Sequence, residues 1–181
     1  MDKILKGRLT FAAIVLVFAA PIIVALALNL SGWRPQKTRN YGALVQPPAD
    51  VTALPVTLAG GARLDWRDPQ WHWTLLALGH GDCADACRTR LAELMRLRIT
   101  LGRNAERLRI VYLGPALPAR DAAALAPLQS GDDAGGLAAY HPSDAGALAL
   151  ALVDPNGLLM LRYPAGYDAG RLREDIVKVV H

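Results

Sequence analysis

The apolar stretch from Leu9 to Leu30 constrains the architecture of this chain more than any other feature. It contains no charged residue. An α-helix rises about 1.5 Å per residue, so roughly 20 apolar residues cross a hydrocarbon core of about 30 Å. The stretch therefore predicts a transmembrane helix over residues 9–30, preceded by a cytoplasmic tail of residues 1–8. Pro21 is compatible with this prediction because membrane helices tolerate proline kinks.

A cleaved signal peptide is the alternative interpretation of the same segment. Lys3, Lys6 and Arg8 form a suitable basic region, and Ala25-Leu26-Ala27 resembles a cleavage site. The apolar regions of signal peptides span about 7–15 residues, and this one is longer, so we favour an anchor. Because the N-terminal tail is short, we expect residues 31–181 on the periplasmic side of an inner membrane.

The charge balance excludes a large class of partners. Residues 50–181 contain 14 Lys and Arg against 15 Asp and Glu, so the formal net charge of +4 arises from cations on either side of the apolar stretch. A nucleic acid backbone is recognised by clustered cations. We therefore expect a membrane partner and no nucleic acid.

The rest of the chain divides into a linker and one domain. Residues 31–55 contain four prolines and no sustained hydrophobic period, which predicts an extended linker. Trp33 and Tyr41 within it are suited to the membrane interface. Residues 56–181 have the length and pattern of a single globular domain.

The pattern within this domain predicts an α/β fold. The predicted elements are a hairpin at 56–66, a strand at 71–78, a helix at 83–101, a strand at 107–113, a short helix within 121–128, a mobile loop at 131–136, strands at 147–153 and 158–163, and a final helix capped by Asp168. A β-α-β unit followed by a β-hairpin and a helix is the arrangement of the thioredoxin-like fold.

The two cysteines form the motif Cys83-Ala84-Asp85-Ala86-Cys87, which follows a predicted strand and opens a predicted helix. The first helical turn has unpaired N–H groups and a partial positive charge, and both stabilise a thiolate. The spacing places both sulfurs on one helix face, compatible with a disulfide or a shared metal ion, and thiolates select Cu(I). His80 is a candidate third ligand, and a pair of buried structural cysteines is the alternative.

Together these features resemble the SCO/SenC family, the membrane-anchored copper-handling assembly factors of cytochrome c oxidase. The resemblance covers roughly residues 56–180 and rests on the anchor, Cys-x-Asp-x-Cys, an arginine-rich helix and the strand–Asp-Pro-x-Gly–strand unit at Asp154. It implies a thioredoxin-like fold and copper bound by Cys83, Cys87 and one His. It also implies thiol–disulfide exchange on the oxidase copper site, with an oxidase subunit or other copper assembly factors as partners.

The chain departs from the family pattern at two places. Ala84 and Arg88 stand where the family has prolines after each cysteine. The family's ligand His precedes the Asp-Pro-x-Gly turn by eight residues, and that position is Gly146 here. His141, five residues earlier, is therefore the other candidate third ligand.

Three functions are compatible with these residues. The first is an oxidase assembly factor that binds copper or exchanges thiols through Cys83 and Cys87. The second is a copper-independent disulfide reductase in which Cys83 attacks and Cys87 resolves. The third is a tethered binding module without either activity.

Overall fold

The computed structural model of the protein describes residues 3–32 and 39–180, which form two compact units divided between Arg39 and Asn40. The first unit contains helix α1, Lys3–Leu30, with Pro21 inside it. The span Lys6–Leu30 is long and apolar enough to cross a membrane, and its apolar side chains are exposed. This fits a single-pass membrane anchor. The prediction for Trp33 lies outside the described residues.

The second unit is an α/β domain in which the predicted elements occur in the predicted order, with two additional strands at Ala43–Asp50 and Gln129–Asp132. The elements are β1 Ala43–Asp50, β2 Thr57–Leu58, β3 Trp73–Gly79, α2 Asp85–Thr100, a 3-10 helix Gly102–Arg107, β4 Leu108–Leu113, α3 Ala119–Ala124, β5 Gln129–Asp132, a 3-10 helix Ala138–Tyr140, β6 Leu148–Val153, β7 Leu158–Tyr163 and α4 Ala169–Val179. The Asp168 side chain accepts a hydrogen bond from the backbone N–H of Arg171, so the predicted helix cap is confirmed.

The strands form one seven-stranded mixed sheet in the order β1-β7-β6-β3-β4-β5-β2. Strands β3, β4 and β5 are parallel neighbours, whereas β6 and β7 are antiparallel. The β3-α2-β4 crossover and the β6-β7 hairpin confirm the predicted thioredoxin-like fold. Because β3 and β4 are parallel, their carboxyl ends meet at one edge of the sheet, and the cysteine motif follows β3 there.

Apolar side chains cover both faces of the sheet. On one face α2 and α4 contribute Leu91, Leu94, Leu172 and Ile176, all buried. On the other face the buried cluster includes Trp66, whose indole N–H donates to the carbonyl of Leu54. Burying a leucine or isoleucine side chain stabilises the folded state by about 1.5–3 kcal/mol, so both layers contribute to the stability of the sheet that carries the cysteine motif.

The predicted linker over residues 31–55 is wrong for its second half. Residues from Asn40 onward belong to the compact domain, and Ala43–Asp50 pairs with β7. Prolines are tolerated in this strand because it lies at the edge of the sheet and its register breaks between Leu44 and Ala49.

A buried carboxylate on α4 holds the start of the domain. Asp175 is 2% exposed, and its Oδ2 accepts the backbone N–H groups of Tyr41 and Gly42 at 2.8 Å each. Tyr163 Oη donates to the same oxygen at 3.4 Å. A side chain at Gly42 would meet the Tyr163 ring at 2.5 Å, so this close approach requires glycine. Tyr41 is therefore part of the domain.

The predicted mobile loop at 131–136 is also partly wrong. Its first two residues lie in β5, which pairs with β4 and β2. Asp133 is buried, and its carboxylate accepts the backbone N–H groups of Gly135 and Leu137. A carboxylate that pairs backbone groups within a turn holds the turn in one conformation. At 56–66 the turn forms as predicted, but β2 pairs mainly with β5.

Candidate functional site: the Cys83–Cys87 disulfide

The two cysteines are joined by a disulfide whose Cα atoms are 5.1 Å apart. This Cα separation is within the usual range for a disulfide. Ala84 is the N-cap of α2, so Cys83 lies before the helix and Cys87 in its first turn. The expectation that both residues share a helix face is therefore wrong, because the helix begins at Asp85 and the bond joins a loop to a helix.

The two sulfurs lie in different environments. Cys83 is partly exposed, whereas Cys87 is 2% exposed and packs in the cluster between the sheet and α2. An attacking thiolate from a partner must reach a sulfur atom along the disulfide axis. Cys83, which only packs against the edge of this cluster, is therefore the more accessible of the two cysteines, and Cys87 is the more shielded one.

The loop from Gly79 to Asp82 is fixed by its neighbours. Gly81 has a φ of +64°, and a Cβ there would lie 3.0 Å from the Cβ of Ala145. The backbone N–H of Gly146 donates to the carbonyl of His80 at 2.7 Å. The loop therefore packs against residues 145–146, and the backbone conformation at residue 81 favours glycine.

Gly146 occupies the position at which the family resemblance expects a histidine. A Cβ built on Gly146 would have only the Asp82 carbonyl oxygen within 4 Å, at a distance of 3.7 Å. Residue 146 thus lies beside the cysteine loop with open space around it. The chain supplies no side chain there.

Arg88 connects the loop to the helices around it. Its guanidinium donates to the Cys83 carbonyl at 3.5 Å and forms ion pairs with Asp85 and, at 3.5 Å, with Asp121 on α3. These contacts fix the junction between loop and helix and place a positive charge beside the disulfide. In the sequence, Asp85 three positions before Arg88 is the feature that could have predicted this ion pair.

His141 contacts the cysteine loop through the backbone. Its Nδ1 lies 2.8 Å from the carbonyl oxygen of Gly79, and its Nε2 lies 3.4 Å from Asp133 Oδ2. A carbonyl only accepts, so Nδ1 carries the proton and donates. The side chain is 16% exposed. Both ring nitrogens therefore face oxygens of the protein.

His80, the other predicted third ligand, is exposed at the start of the loop. Among residues 3–32 and 39–180, no three side chains of His, Cys, Asp or Glu lie together in a way that would hold a metal ion. The structure thus brings Cys83 and Cys87 together and adds neither histidine to them as a third donor.

Comparison with known proteins supports the fold and its membrane context. A family model described as transmembrane-like, thioredoxin-like, C-terminal domain matches residues 73–181. No curated protein gives a significant sequence match.

Several solved structures share the fold. Copper-bound ScoI from Bradyrhizobium japonicum superposes with a TM-score of 0.51 and 16% identity, covering 76% of this chain and 98% of that one. Copper-bound yeast Sco1 gives 0.55 and 15%, covering 78% and 93%. A thiol:disulfide interchange protein DsbE from Chlorobium tepidum gives 0.50 and 15%, covering 80% and 100%. At these identities the likeness establishes the fold alone.

Proposed function

The chain belongs to the family of transmembrane-like, thioredoxin-like C-terminal domain proteins, and from this premise we propose that it is a membrane-anchored thiol–disulfide exchange protein acting through Cys83 and Cys87. The observation that carries the proposal is the disulfide between an accessible and a shielded cysteine at the start of α2. A structural staple would need no such asymmetry, whereas stepwise exchange uses it.

The chemistry follows from the two environments. A thiolate of a partner dithiol attacks the Cys83 sulfur, and Cys87 leaves as a thiolate near the positive end of α2. The partner's second thiolate then attacks the partner's first sulfur, which is bonded to Cys83 in the mixed disulfide, and Cys83 leaves as a thiolate. The protein gains two electrons and two protons, and the partner becomes a disulfide. In the reverse sequence the Cys83–Cys87 dithiol reduces a partner disulfide and returns to the disulfide form.

The setting that we propose is the assembly of cytochrome c oxidase, on the periplasmic side of the inner membrane. The resemblance of Cys83-x-Asp85-x-Cys87 and its surroundings to the SCO/SenC pattern supports it, as does the shared fold with copper-bound Sco proteins. In this setting the pair would keep the copper-binding cysteines of an oxidase subunit in the reduced state. An apolar span at Lys6–Leu30 would hold the domain near a membrane-embedded partner.

Copper carriage is the second candidate, with Cu(I) as cargo. After reduction, two thiolates on Cα atoms 5.1 Å apart would suit Cu(I), a soft ion. A set of two Cys and one His is not supported, since residue 146 is glycine and both nitrogens of His141 face protein oxygens. The fit is therefore to a two-thiolate Cu(I) site formed by Cys83 and Cys87.

The test of exchange is a redox equilibration of the full-length protein in detergent against defined glutathione mixtures. We expect wild type to cycle reversibly between disulfide and dithiol. Cys83→Ser and Cys87→Ser should not form the intramolecular disulfide, and Ala86→Ser, an exposed change inside the motif, should behave as wild type. A wild-type disulfide that resists reduction until the protein unfolds would contradict the proposal.

A Cu(I) competition with a chromophoric chelator separates the remaining candidates. Copper carriage predicts one Cu(I) per reduced chain, lost in Cys83→Ser and retained in His80→Ala. Exchange without copper affinity supports the disulfide reductase. A protein with neither property would be the tethered binding module, and both proposals would then be wrong.

A further inference from the structure

A buried tyrosine hydroxyl at the base of the cysteine loop has no hydrogen-bond partner in the part of the chain that the structure describes. Tyr112 on β4 is fully buried, and its Oη is unpaired among the described residues. Buried polar groups are nearly always paired, and an unpaired one destabilises the folded state. Phenylalanine would fill the same space without this cost. A function of the hydroxyl in the reduced form of the protein would explain why tyrosine stands here.

The hydroxyl lies at the base of the cysteine loop. Tyr112 is opposite Ala77 in the parallel pair β3-β4, so its side chain extends toward the sheet edge where both strands end. A Cβ at Gly79 would be 2.9 Å from Tyr112 Oη, and a Cβ at Gly114 would be 2.7 Å from it. Only glycine at both positions leaves room for the phenol. Gly79 is also the residue from which the loop to Cys83 begins.

Tyr112 and Cys87 share one buried environment. Both belong to the apolar cluster between the sheet and α2, together with Ala77. In the disulfide the Cys87 sulfur is a weak acceptor, but reduction turns it into a thiol or thiolate that remains shielded from water. A shielded thiolate requires a donor, and the unpaired hydroxyl is a buried donor in the same cluster.

We propose that the Tyr112 hydroxyl donates a hydrogen bond to the Cys87 sulfur when the disulfide is reduced, and thereby stabilises the dithiol form. This inference rests on the proposed exchange at Cys83 and Cys87. Burial raises the pKa of Tyr112, so the phenol keeps its proton and remains a donor at neutral pH. Reduction by two glutathiones delivers two electrons and two protons and yields one glutathione disulfide, and Tyr112 neither gains nor loses a proton.

The test compares Tyr112→Phe with wild type in the glutathione equilibrium of the full-length protein. Loss of the donor should shift the equilibrium constant about tenfold toward the disulfide. For a two-electron couple this corresponds to a reduction potential about 30 mV more negative. Tyr167→Phe is the matched control, because the buried Tyr167 hydroxyl belongs to the same cluster and also lacks a partner within residues 3–32 and 39–180, but its ring lies beneath the Arg90 guanidinium. We expect the control to keep the wild-type equilibrium.

Two further measurements keep the outcomes distinct. Oxidised Tyr112→Phe should unfold at the same or a higher temperature, since only an unpaired oxygen is removed. The Raman bands that report tyrosine hydrogen bonding should change on reduction in wild type and remain unchanged in Tyr112→Phe. If wild type cycles and Tyr112→Phe has the same equilibrium, this inference is overturned and the proposed exchange stands. If wild type does not cycle, the proposed exchange itself fails.

Discussion

His141 donates a hydrogen bond from Nδ1 to the carbonyl oxygen of Gly79 across 2.8 Å. Gly79 ends β3 and begins the loop that leads to Cys83. The imidazole thus fixes the base of the cysteine loop, while its Nε2 faces the buried carboxylate of Asp133. This arrangement gives the histidine a structural role in the oxidised protein.

His141→Ala should therefore lower stability and leave copper affinity unchanged. The substitution leaves the Gly79 carbonyl without this donor and removes the imidazole that packs beside Asp133, at a cost of about 1–3 kcal/mol. Urea unfolding of full-length protein measures the loss, and the exposed His80→Ala is the control that should not change stability. A large fall in Cu(I) affinity at unchanged stability would instead identify His141 as a ligand.

Gly146→His should create a third donor beside the cysteines. The position is open toward Asp82, and a side chain at a φ of +75° costs about 1 kcal/mol in backbone strain. We expect Cu(I) affinity to rise by about tenfold, which a chelator competition measures. Gly135→His, at a φ of +78° and also in open space, carries the same strain and should leave affinity unchanged. Equal affinities in both variants would show that residue 146 does not face the sulfurs.

Asp175→Ala should destabilise the domain strongly. It removes the acceptor for two backbone N–H groups, those of Tyr41 and Gly42, and unpaired buried donors cost about 1–3 kcal/mol each. We expect a loss of about 2–5 kcal/mol in the free energy of unfolding. The neighbouring Glu174→Ala, on the exposed side of α4, should change it by less than about 0.5 kcal/mol. Similar effects of the two substitutions would contradict the role of the buried carboxylate.

Alkaline pH should destabilise the domain through its buried tyrosines. Burial raises the pKa of Tyr167 to about 12 and also raises the pKa of Tyr112 and Tyr163. Between pH 10 and 12 the unfolded chain loses phenolic protons that the folded protein retains, so the free energy of unfolding falls as pH rises. Tyr167→Phe should make this slope shallower by about 1.4 kcal/mol per pH unit. Urea titrations at several pH values measure it, and equal slopes would contradict the prediction.

Local chemistry made much of the fold predictable. Strand and helix periods, the cap at Asp168 and the turn at Asp154 depend on residues close in sequence, and the structure places these elements close to the predicted boundaries. The strand at Ala43–Asp50 was missed because its prolines are typical of a linker. Its identity as a strand depends on pairing with β7, far along the chain.

The site was predictable only in part for the same reason. The cysteine pair and its helix are local, and their position was found from the motif. The hydrogen bond of His141 to Gly79 and the approach of Tyr112 to Gly79 are contacts between distant segments. The parallel order of β3 and β4 could have suggested the second contact, since their ends must meet. No pattern near His141 indicates which way its ring nitrogens face.

The asymmetry between the two sulfurs is tested most directly by the rate of glutathionylation in single-cysteine variants. In folded full-length Cys87→Ser, the partly exposed Cys83 should react rapidly with glutathione disulfide to one equivalent. In Cys83→Ser, the shielded Cys87 should react at least about tenfold more slowly, until urea unfolds the domain and the two rates converge. Equal rates in the folded variants, or faster reaction at Cys87, would contradict an exchange mechanism that begins at Cys83.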